Sequence, residues 1–520
     1  MNALLVQPLT PLTYWGFQYA VGIVGKKASL PPLGLVTLAA QLPPSWNLRL
    51  IDVNVEPLTD ADLEWADVLL LTGMLVHSRS MHQILARAKA AGVRTVVGGP
   101  AASSAPEEFP DADHVFGGEA EGRLQFLVRV LEAGEGPRVL DSGNSFGQLI
   151  KDRPQLALTP TPRYDLLKLK RYVSMSVQYS RGCPFTCEFC DIIELFGRNP
   201  RVKSPAQMLA ELDALLELGW RGTVFFVDDN FIGKRKEVGE ALLPEIARWQ
   251  KERGRPFQFY TEASVDLATM PKLVDLMVDA GFNTVFLGIE SPSPEALRET
   301  KKLQNLRLGL HESVERLTRA GLEVYAGFIL GFDSDGPGIF EAQRSFIDGL
   351  PIAAAMIGLL TALPGTQLWK RLEREGRLHG VLGEDQFERP NFDTVMDERK
   401  LLAGYRELLA SLYTPRAFYA RVQKLVDEVG PGHRVPVRPA DLVKLLRIVF
   451  HLGVLSPRRV RFWKLFARCL RRPHAFARAM ALAVQGEHFI RYTKEEVLPR
   501  MDRALQTAPL RVPVPASIPG

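Results

Sequence analysis

The chain has 520 residues, of which 46% are hydrophobic and 24% charged, and its net charge is +5. This composition is typical of a globular protein with about three domains. The small net charge gives no support to nucleic acid as a partner. Four cysteines exclude a disulfide framework, and three of them fall within eight positions. That clustering indicates a metal site in a reducing compartment, and the expected location is the cytoplasm.

The sequence predicts neither a signal peptide nor a membrane-spanning helix. The N-terminus lacks a basic start followed by a long apolar run, so no signal peptide is expected. No stretch reaches the ~18 consecutive apolar residues that predict a membrane-spanning helix.

Residues 1–145 alternate short apolar runs with helical patterns, which predicts a doubly wound α/β domain of the flavodoxin-like or Rossmann kind. The predicted strands are Ala3–Gln7, Leu48–Val53, Asp67–Thr72, Thr95–Gly98 and His114–Phe116. Ligands of such sheets bind at the loops beyond the carboxyl ends of the strands. The polar and small residues of those loops are Thr72, Gly73, Met74, Gly98, Gly99, Gly117, Gly118 and Glu119. Glycines there let a flat ligand approach the backbone, although each could simply form a turn.

A second series of strands follows a linker. Residues 146–170 contain Pro154, Pro160 and Pro162 and are predicted to be that linker. Residues 171–384 resume the alternation, and six units of this length predict a partial (β/α)6 barrel of the TIM type. The predicted strands are Val173–Gln178, Thr223–Val227, Gln258–Glu262, Thr284–Ile289, Glu323–Leu330 and Ala354–Leu359. Chemistry is expected at the carboxyl ends of these strands.

Residues 385–507 carry helical patterns without strand signals, which predicts a helical C-terminal domain, and residues 508–520 are expected to be disordered. Within it, residues 441–480 have ten Lys or Arg against one Asp, interleaved with Phe462, Trp463, Leu465 and Phe466. Such a surface is suited to an anionic membrane. The alternative is that these apolar residues face the core while the arginines are solvated, and the sequence does not decide between the two.

The strongest motif is Cys183-Pro184-Phe185-Thr186-Cys187-Glu188-Phe189-Cys190. Closely spaced thiolates on one loop suit an iron–sulfur cubane, and three ligands rather than four leave one iron open to a chelating cofactor. A structural zinc site is the alternative, but zinc normally takes four Cys or His ligands. Cys469 is far away in the basic helical stretch, so the cluster is favoured.

These cysteines resemble the C-x3-C-x2-C signature of the radical S-adenosylmethionine (SAM) superfamily. The resemblance implies a 4Fe–4S cluster held by Cys183, Cys187 and Cys190, with SAM on its open iron. Further matches follow at later strand ends. By this resemblance the SAM contacts are Phe189, Asp228, Asp229, Glu290, Ser291, Gly327, Ile329 and Pro364. Asp228 or Asp229 could alternatively cap a helix.

A doubly wound domain before such a barrel resembles the cobalamin-binding subclass of the superfamily. The resemblance rests on Pro31-Pro32-Leu33-Gly34, Gly98-Gly99-Pro100 and Gly117-Gly118-Glu119. It implies that cobalamin lies at the loops of the first domain named above. The D-x-H-x-x-G motif of many cobalamin proteins is absent, so no histidine from that motif ligates cobalt. His77 is a candidate neighbour of the corrin.

The whole chain resembles the branch that contains the hopanoid C-2 methylases, on Tyr179–Cys183, Gly197–Arg201 and Val227–Gly233. The resemblance implies methyl transfer to an unactivated carbon of a lipid-like or other small molecule, and a low-potential electron donor of the flavodoxin or ferredoxin type. One alternative is a cyclase or oxidoreductase that uses both cofactors without net methylation. Another is a non-catalytic iron–sulfur redox protein.

Overall fold

A computed structural model describes residues 1–141, 153–381, 387, 389–433 and 435–508. Residues 146–152 of the predicted linker, 382–384 of the predicted barrel, and 509–520 of the predicted tail lie outside these ranges. The domain bounds themselves stay predictions. No described helix has the length and apolar character needed to cross a bilayer.

The first unit is a six-stranded parallel sheet in the order β2-β1-β3-β4-β5-β6. Its strands are β1 (Asn2–Gln7), β2 (Asn47–Asp52), β3 (Val68–Thr72), β4 (Arg94–Gly98), β5 (His114–Gly117) and β6 (Val139–Asp141). Its helices are α1 (Gln18–Val21), α2 (Leu33–Ala39), α3 (Asp60–Trp65), α4 (Ser78–Ala90), α5 (Pro100–Ser104) and α6 (Leu124–Ala133). The sequence predicted five of these strands and missed β6.

Helices cover both faces of this sheet because each strand alternates its buried side chains between two apolar layers. Leu4 and Leu69 belong to the layer under α4, whereas Leu5 and Leu70 belong to the layer under α2 and α6. The strand order reverses between β1 and β3, which places a crevice at the carboxyl ends of these strands. The predicted doubly wound fold is confirmed.

The second unit is a six-stranded parallel sheet in the order β7-β10-β11-β12-β13-β14. Its strands are β7 (Ser174–Val177), β10 (Gly222–Phe226), β11 (Phe257–Ala263), β12 (Phe282–Glu290), β13 (Glu323–Leu330) and β14 (Ala355–Leu359), and a short antiparallel pair lies beside it, β8 (Ser180–Arg181) and β9 (Arg201–Val202). Its helices are α7 (Ile192–Leu195), α8 (Pro205–Glu217), α9 (Arg235–Glu237), α10 (Leu243–Glu252), α11 (Pro271–Ala280), α12 (Pro294–Glu299), α13 (Leu310–Arg319), α14 (Ile339–Gly349) and α15 (Gln367–Arg374).

The pattern of exposure along these strands defines a barrel interior. In β11 fully buried residues alternate with the partly exposed Gln258, Tyr260 and Glu262, and β13 repeats the pattern with Tyr325 and Gly327. Since successive side chains point to opposite faces, the partly exposed set lines the interior and the buried set packs under the helices. With β7 and β14 at the two edges, strand pairing in the described chain leaves this barrel open, as predicted.

The third unit is helical and closes against the other two. Its helices are α16 (Glu398–Leu412), α17 (Pro415–Glu428), α18 (Pro439–Ile448), α19 (Arg459–Cys469), α20 (Phe476–Tyr492) and α21 (Leu498–Thr507). It holds the segment that follows β1, because the Tyr492 hydroxyl donates to the carbonyl of Leu12 at 2.7 Å and Tyr14 shares a hydrogen bond with Thr493 at 2.6 Å. The Tyr14 ring also stacks on Tyr413 at 5.4 Å.

A buried set of ion pairs joins the first unit to the second. Glu119 and Glu121 follow β5, and their carboxylates contact Arg181 at 2.9 and 2.6 Å. Glu119 also pairs with Arg201 at 2.8 Å. We call these four residues the interdomain clamp. Its side chains are only 3 to 14% exposed, so both signs of charge are shielded from water and depend on each other.

Removing one charge of the clamp is expected to destabilise the protein, because it leaves a buried arginine uncompensated. We predict that Glu119→Gln lowers the free energy of unfolding by about 3–5 kcal/mol. The measurement is urea unfolding of the cofactor-free protein, followed by tryptophan fluorescence. Glu245→Gln, which breaks the exposed pair with Arg248, is the matched control and should cost under about 1 kcal/mol. Equal effects of the two variants would contradict the clamp.

Candidate active site

The cysteine loop begins directly after β7 and is pinned to the barrel at its first turn. β8 and β9 pair there, and the Cys183 amide donates to the carbonyl of Gly197 at 3.2 Å. Gly182 has φ +99°, and a side chain at this position would meet the Gly197 oxygen at 2.7 Å. Only glycine therefore fits immediately before the first cysteine.

The three thiols lie in surroundings of low polarity. Cys187 is 7% exposed, and Cys183 and Cys190 are partly exposed. Burial raises the pKa of the Cys183 and Cys190 thiols. Metal binding deprotonates such thiols, because the bound cation compensates the thiolate charge.

Two amide side chains point at the sulfurs of this loop. Asn230 Nδ2 lies 3.9 Å from the Cys183 sulfur, and Gln304 Nε2 lies 3.7 Å from the Cys187 sulfur. Hydrogen bonds to ligand sulfurs stabilise the reduced state of an iron–sulfur cluster and so influence its potential. This donor set fits a cluster.

A single metal ion has no ready site among the described residues. No three of their His, Cys, Asp or Glu side chains converge on a point where one ion could bind. A cubane makes a different demand, because each cysteine binds a different iron atom.

A lysine that the sequence analysis did not single out lies beside the cysteine loop. Lys302 pairs with Glu290 at 2.6 Å, and its ammonium lies 5.8 Å from the centre of the Phe189 ring. Burial opposes its charge, but Glu290 and the thiols of Cys187 and Cys190 hold the pKa of Lys302 above its usual value. The ammonium therefore stays charged beside the thiols, and an anionic ligand of the open iron would share it with Glu290.

Glu290 itself adopts a strained backbone. Its φ is +64° at the end of β12, a region that non-glycine residues rarely occupy. Asn305 holds this strand end by donating to the carbonyls of Gly288 and Ile289, both at 2.9 Å. Strain that is held in place in this manner is typical of a ligand-binding position. The adjacent Ser291 is fully buried.

The predicted carboxylates after β10 brace the cysteine loop. Asp228 accepts the backbone N–H groups of Tyr179 and Ser180, and Asp229 accepts that of Gly182 at 2.8 Å. Neither therefore caps a helix. Burial raises the pKa of Asp228 to about 7 and of Asp229 to about 6. Their assignment as SAM contacts stays a prediction.

Glu262, at the end of β11, is a further candidate that the sequence analysis missed. Its side chain has no hydrogen-bond or ion-pair partner in the described part of the chain. Burial, and then the carboxylates of Asp229 and Asp228, raise the pKa of Glu262 to about 7. An unpaired carboxyl group here suits the ammonium or hydroxyl groups of a bound cofactor. Its position at the end of a barrel strand could have predicted it, because the SAM contacts were predicted at the ends of other barrel strands.

The apolar residues predicted to contact SAM come together. Phe189 and Ile329 both pack against a buried cluster that contains Phe332 and Leu360, and the rings of Phe189 and Phe332 lie 6.3 Å apart. Gly327 lies on β13 two residues before Ile329, and Pro364 lies in the turn after β14. A flat aromatic group would be well accommodated here.

A cleft lies between the first sheet and the cysteine loop. It encloses about 1360 Å³ of unfilled space, part of which is open to solvent. Five residues that were predicted to bind cobalamin line it: Thr72, Gly98, Gly99, Gly118 and Glu119. Gly34 and Leu38 of α2 line it as well. Residues Gln178, Arg181 and Val227 of the barrel close the other side. A Cβ at Gly34 would meet only open space, so the cleft can take a bulky, flat ligand.

Four of the residues predicted for this ligand are not among the described residues that line the cleft: Gly73, Met74, His77 and Gly117. The turn after β3 faces α4 instead, because a side chain at Gly73 would meet Met81. His77 is 4% exposed and its Nδ1 accepts the Met74 N–H at 3.0 Å. The expectation that His77 neighbours the corrin stays a prediction.

Comparisons with known proteins agree with this geometry. Residues 177–338 match the model of the radical SAM superfamily, residues 23–128 match the B12 binding domain, and residues 366–499 match a domain of unknown function. The chain is 42% identical to an uncharacterized methyltransferase of Synechocystis sp., over 95% of this chain and 92% of the relative. It is 34% identical to the hopanoid C-2 methylase of Rhodopseudomonas palustris, over 95% and 93%.

Solved structures share the fold at low sequence identity. The cobalamin-dependent SAM radical enzyme OxsB, solved with aqua-cobalamin bound, superposes with a TM-score of 0.58 at 15% identity. The match covers 97% of this chain and 83% of that one. The three-part architecture is therefore shared along nearly the whole chain.

The cysteine loop supplies a direct test. We predict that Cys187→Ala abolishes cluster binding, because the two remaining thiolates cannot hold a cubane. The measurement is iron and sulfide content after anaerobic reconstitution, together with the visible charge-transfer absorbance. Cys469→Ala is the matched control, since this thiol is fully buried in α19, and it should keep a full cluster. Retention of the cluster by Cys187→Ala would contradict the assignment.

Proposed function

The chain belongs to the cobalamin-dependent radical SAM methyltransferases, and on this premise we propose that it methylates an unactivated carbon of a lipid-like, isoprenoid molecule. Membership follows from relatives that are 42% and 34% identical over 95% of the chain. The chain is thus an enzyme that uses a 4Fe–4S cluster, SAM and cobalamin. The lipid-like substrate and the residues assigned to each cofactor are our proposals.

The cofactors, when bound, supply the reductive cleavage of SAM, hydrogen abstraction and the methyl group. The protein holds and orients them. We assign Cys183, Cys187 and Cys190 to three of the irons, with Asn230 and Gln304 as donors to sulfur. Lys302 would pair with the carboxylate of SAM, and Glu262 with its ammonium or ribose. Phe189 and Ile329 would hold the adenine.

The observation that carries the lipid proposal is the aromatic lining of the barrel interior. Phe225 and Tyr260 stack at 4.6 Å, and Trp15, from the loop after β1, lies on Phe286 at 4.9 Å. Tyr325 adds a ring whose hydroxyl donates to Gln485 at 2.7 Å. Aromatic faces of this kind suit a flat, apolar, polycyclic molecule and exclude water from its reacting carbon. A relative named as a hopanoid methylase is consistent with such a substrate.

The enzyme needs a reductant, and we propose a flavodoxin or ferredoxin type of donor in the cytoplasm. A reaction that uses both cofactors without net methylation is the remaining alternative. The mass of the product separates the two, because methylation adds one methylene whereas cyclisation or oxidation removes hydrogen or adds oxygen.

The proposal is tested by expressing the chain in a hopanoid-producing bacterium from which C-2 methylation has been deleted. We expect extracted hopanoids heavier by one methylene in cells with the natural chain, detected by mass spectrometry. Cells with Cys187→Ala, which lacks the cluster, should show unmodified hopanoids, whereas Cys469→Ala should restore the product. Unmodified hopanoids with an expressed, cluster-loaded chain would refute the hopanoid class.

A further inference from the structure

Exposed apolar side chains concentrate in one part of the helical unit. Of the 22 large hydrophobic residues that are exposed in the described chain, ten lie between residues 437 and 470. They are Val437, Leu442, Val443, Leu446, Phe450, Val454, Leu455, Val460, Trp463 and Leu470. Single exposed apolar residues are normal on any protein, but a contiguous set marks an interaction surface.

These residues lie on a helical hairpin, residues 437–472, that we call the docking hairpin. Its first arm is α18 with the π-helical turn Val449–Leu455, and its second arm is α19. In the first arm Leu442, Leu446 and Phe450 recur every four residues, and in the second Val460 and Trp463 are three apart. Residues at these spacings share one side of a helix, so each arm presents an apolar stripe.

The opposite side of the hairpin is packed into the protein. Leu452, Phe462 and Leu465 are at most 1% exposed. Trp463 Nε1 donates to the carbonyl of Gly453 at 3.0 Å and joins the two arms. Arg458 pairs with the buried Glu487 of α20, so the hairpin is fixed to the unit. The exposed stripe is thus displayed by an element whose other side is part of the protein's main core.

Positive charge surrounds the apolar stripes. The docking hairpin has ten Lys or Arg and one acidic residue, Asp441. Seven of its cations have no ion pair with any described residue: Arg438, Arg447, Arg459, Arg461, Lys464, Arg471 and Arg472. Cations left unpaired beside exposed apolar side chains are suited to anionic headgroups, into which the apolar side chains insert. A second copy of the same face would be repelled by its own charge.

We propose that the docking hairpin binds the surface of an anionic phospholipid bilayer, with its apolar stripes inserted between the headgroups. This inference deepens the proposed lipid substrate, because a bilayer would supply it, yet binding needs no catalysis. The hairpin begins at the N-terminal ends of the barrel strands, where Arg438 donates to the carbonyl of Pro256 directly before β11, whereas the cysteine loop follows the carboxyl end of β7. The open end of the barrel that holds the cluster is therefore a separate surface.

The test is flotation of the holoenzyme with phosphatidylcholine vesicles that contain or lack phosphatidylglycerol. We expect binding only to the anionic vesicles, weakened by high salt. Arg459→Gln, Arg461→Gln and Lys464→Gln combined should weaken binding about 100-fold. Leu446→Ser with Phe450→Ser should weaken it at least about tenfold. Circular dichroism and cluster content should match the natural chain.

Matched controls change the same residue types elsewhere on the surface. Lys236→Gln, Lys272→Gln and Lys370→Gln combined should leave binding unchanged, as should Phe126→Ser with Leu218→Ser, which are exposed on α6 and after α8. Absence of vesicle binding, or equal loss in the control variants, would overturn the proposal. So would self-association in sedimentation velocity that the Leu446 and Phe450 changes abolish, because the face would then join two copies. Vesicle binding without hopanoid methylation would refute only the proposed substrate.

Discussion

Four buried charged side chains decide how the two cofactor-binding units face each other. Glu119 and Glu121 lie in the loop after β5 of the first sheet, and only Gly182 separates Arg181 from the first cysteine. The residue that completes the clamp therefore also begins the cysteine loop. Arg201, its second cation, further donates to the carbonyls of Pro154 and Phe196 on either side of that loop. The cleft and the cysteines are thus positioned by one charge network.

Charged side chains inside the barrel have two separate roles, one toward the cysteine loop and one toward a ligand. Asp228 and Asp229 accept hydrogen bonds from backbone N–H groups directly before the first cysteine, so both carboxylates help to fix the conformation of the cysteine loop. We assign Glu262 and Lys302, which also pairs with Glu290, to the bound ligand. Lys302 carries a positive charge beside the thiols, and Glu262 lacks a partner among the described residues. A zwitterionic cofactor needs this pairing of one anionic and one cationic contact.

The sequence was sufficient for the strands and the cysteine loop, because continuous apolar runs and close thiol spacing are local patterns. Glu323–Leu330 has the predicted bounds, and the other predicted strands differ by one or two residues. β6 was missed because Val139–Asp141 is short and follows Gly134–Arg138, which reads as a loop. The role of Lys302 was not foreseeable, since it depends on a loop that folds back over Phe189 from a distant part of the chain.

The basic helical region shows the limit of helical periodicity. For Phe462 and Leu465 the sequence left a membrane face and the protein core as alternatives, and both side chains are buried in the core. Trp463 is 43% exposed, and the larger apolar stripe, on α18, was not predicted. Periodicity identifies two faces of a helix, but only the packing of α19 against its neighbours decides which face is covered.

The most direct test of the account is the fate of a labelled methyl group. Anaerobic, reconstituted protein would be given SAM with a deuterated methyl group, hydroxocobalamin, dithionite and lipid from a hopanoid-producing bacterium. The account predicts a lipid product that carries the deuterated methyl group, formed together with 5′-deoxyadenosine and only when cobalamin is present. Formation of 5′-deoxyadenosine with an unlabelled lipid, or labelled lipid without cobalamin, would contradict it.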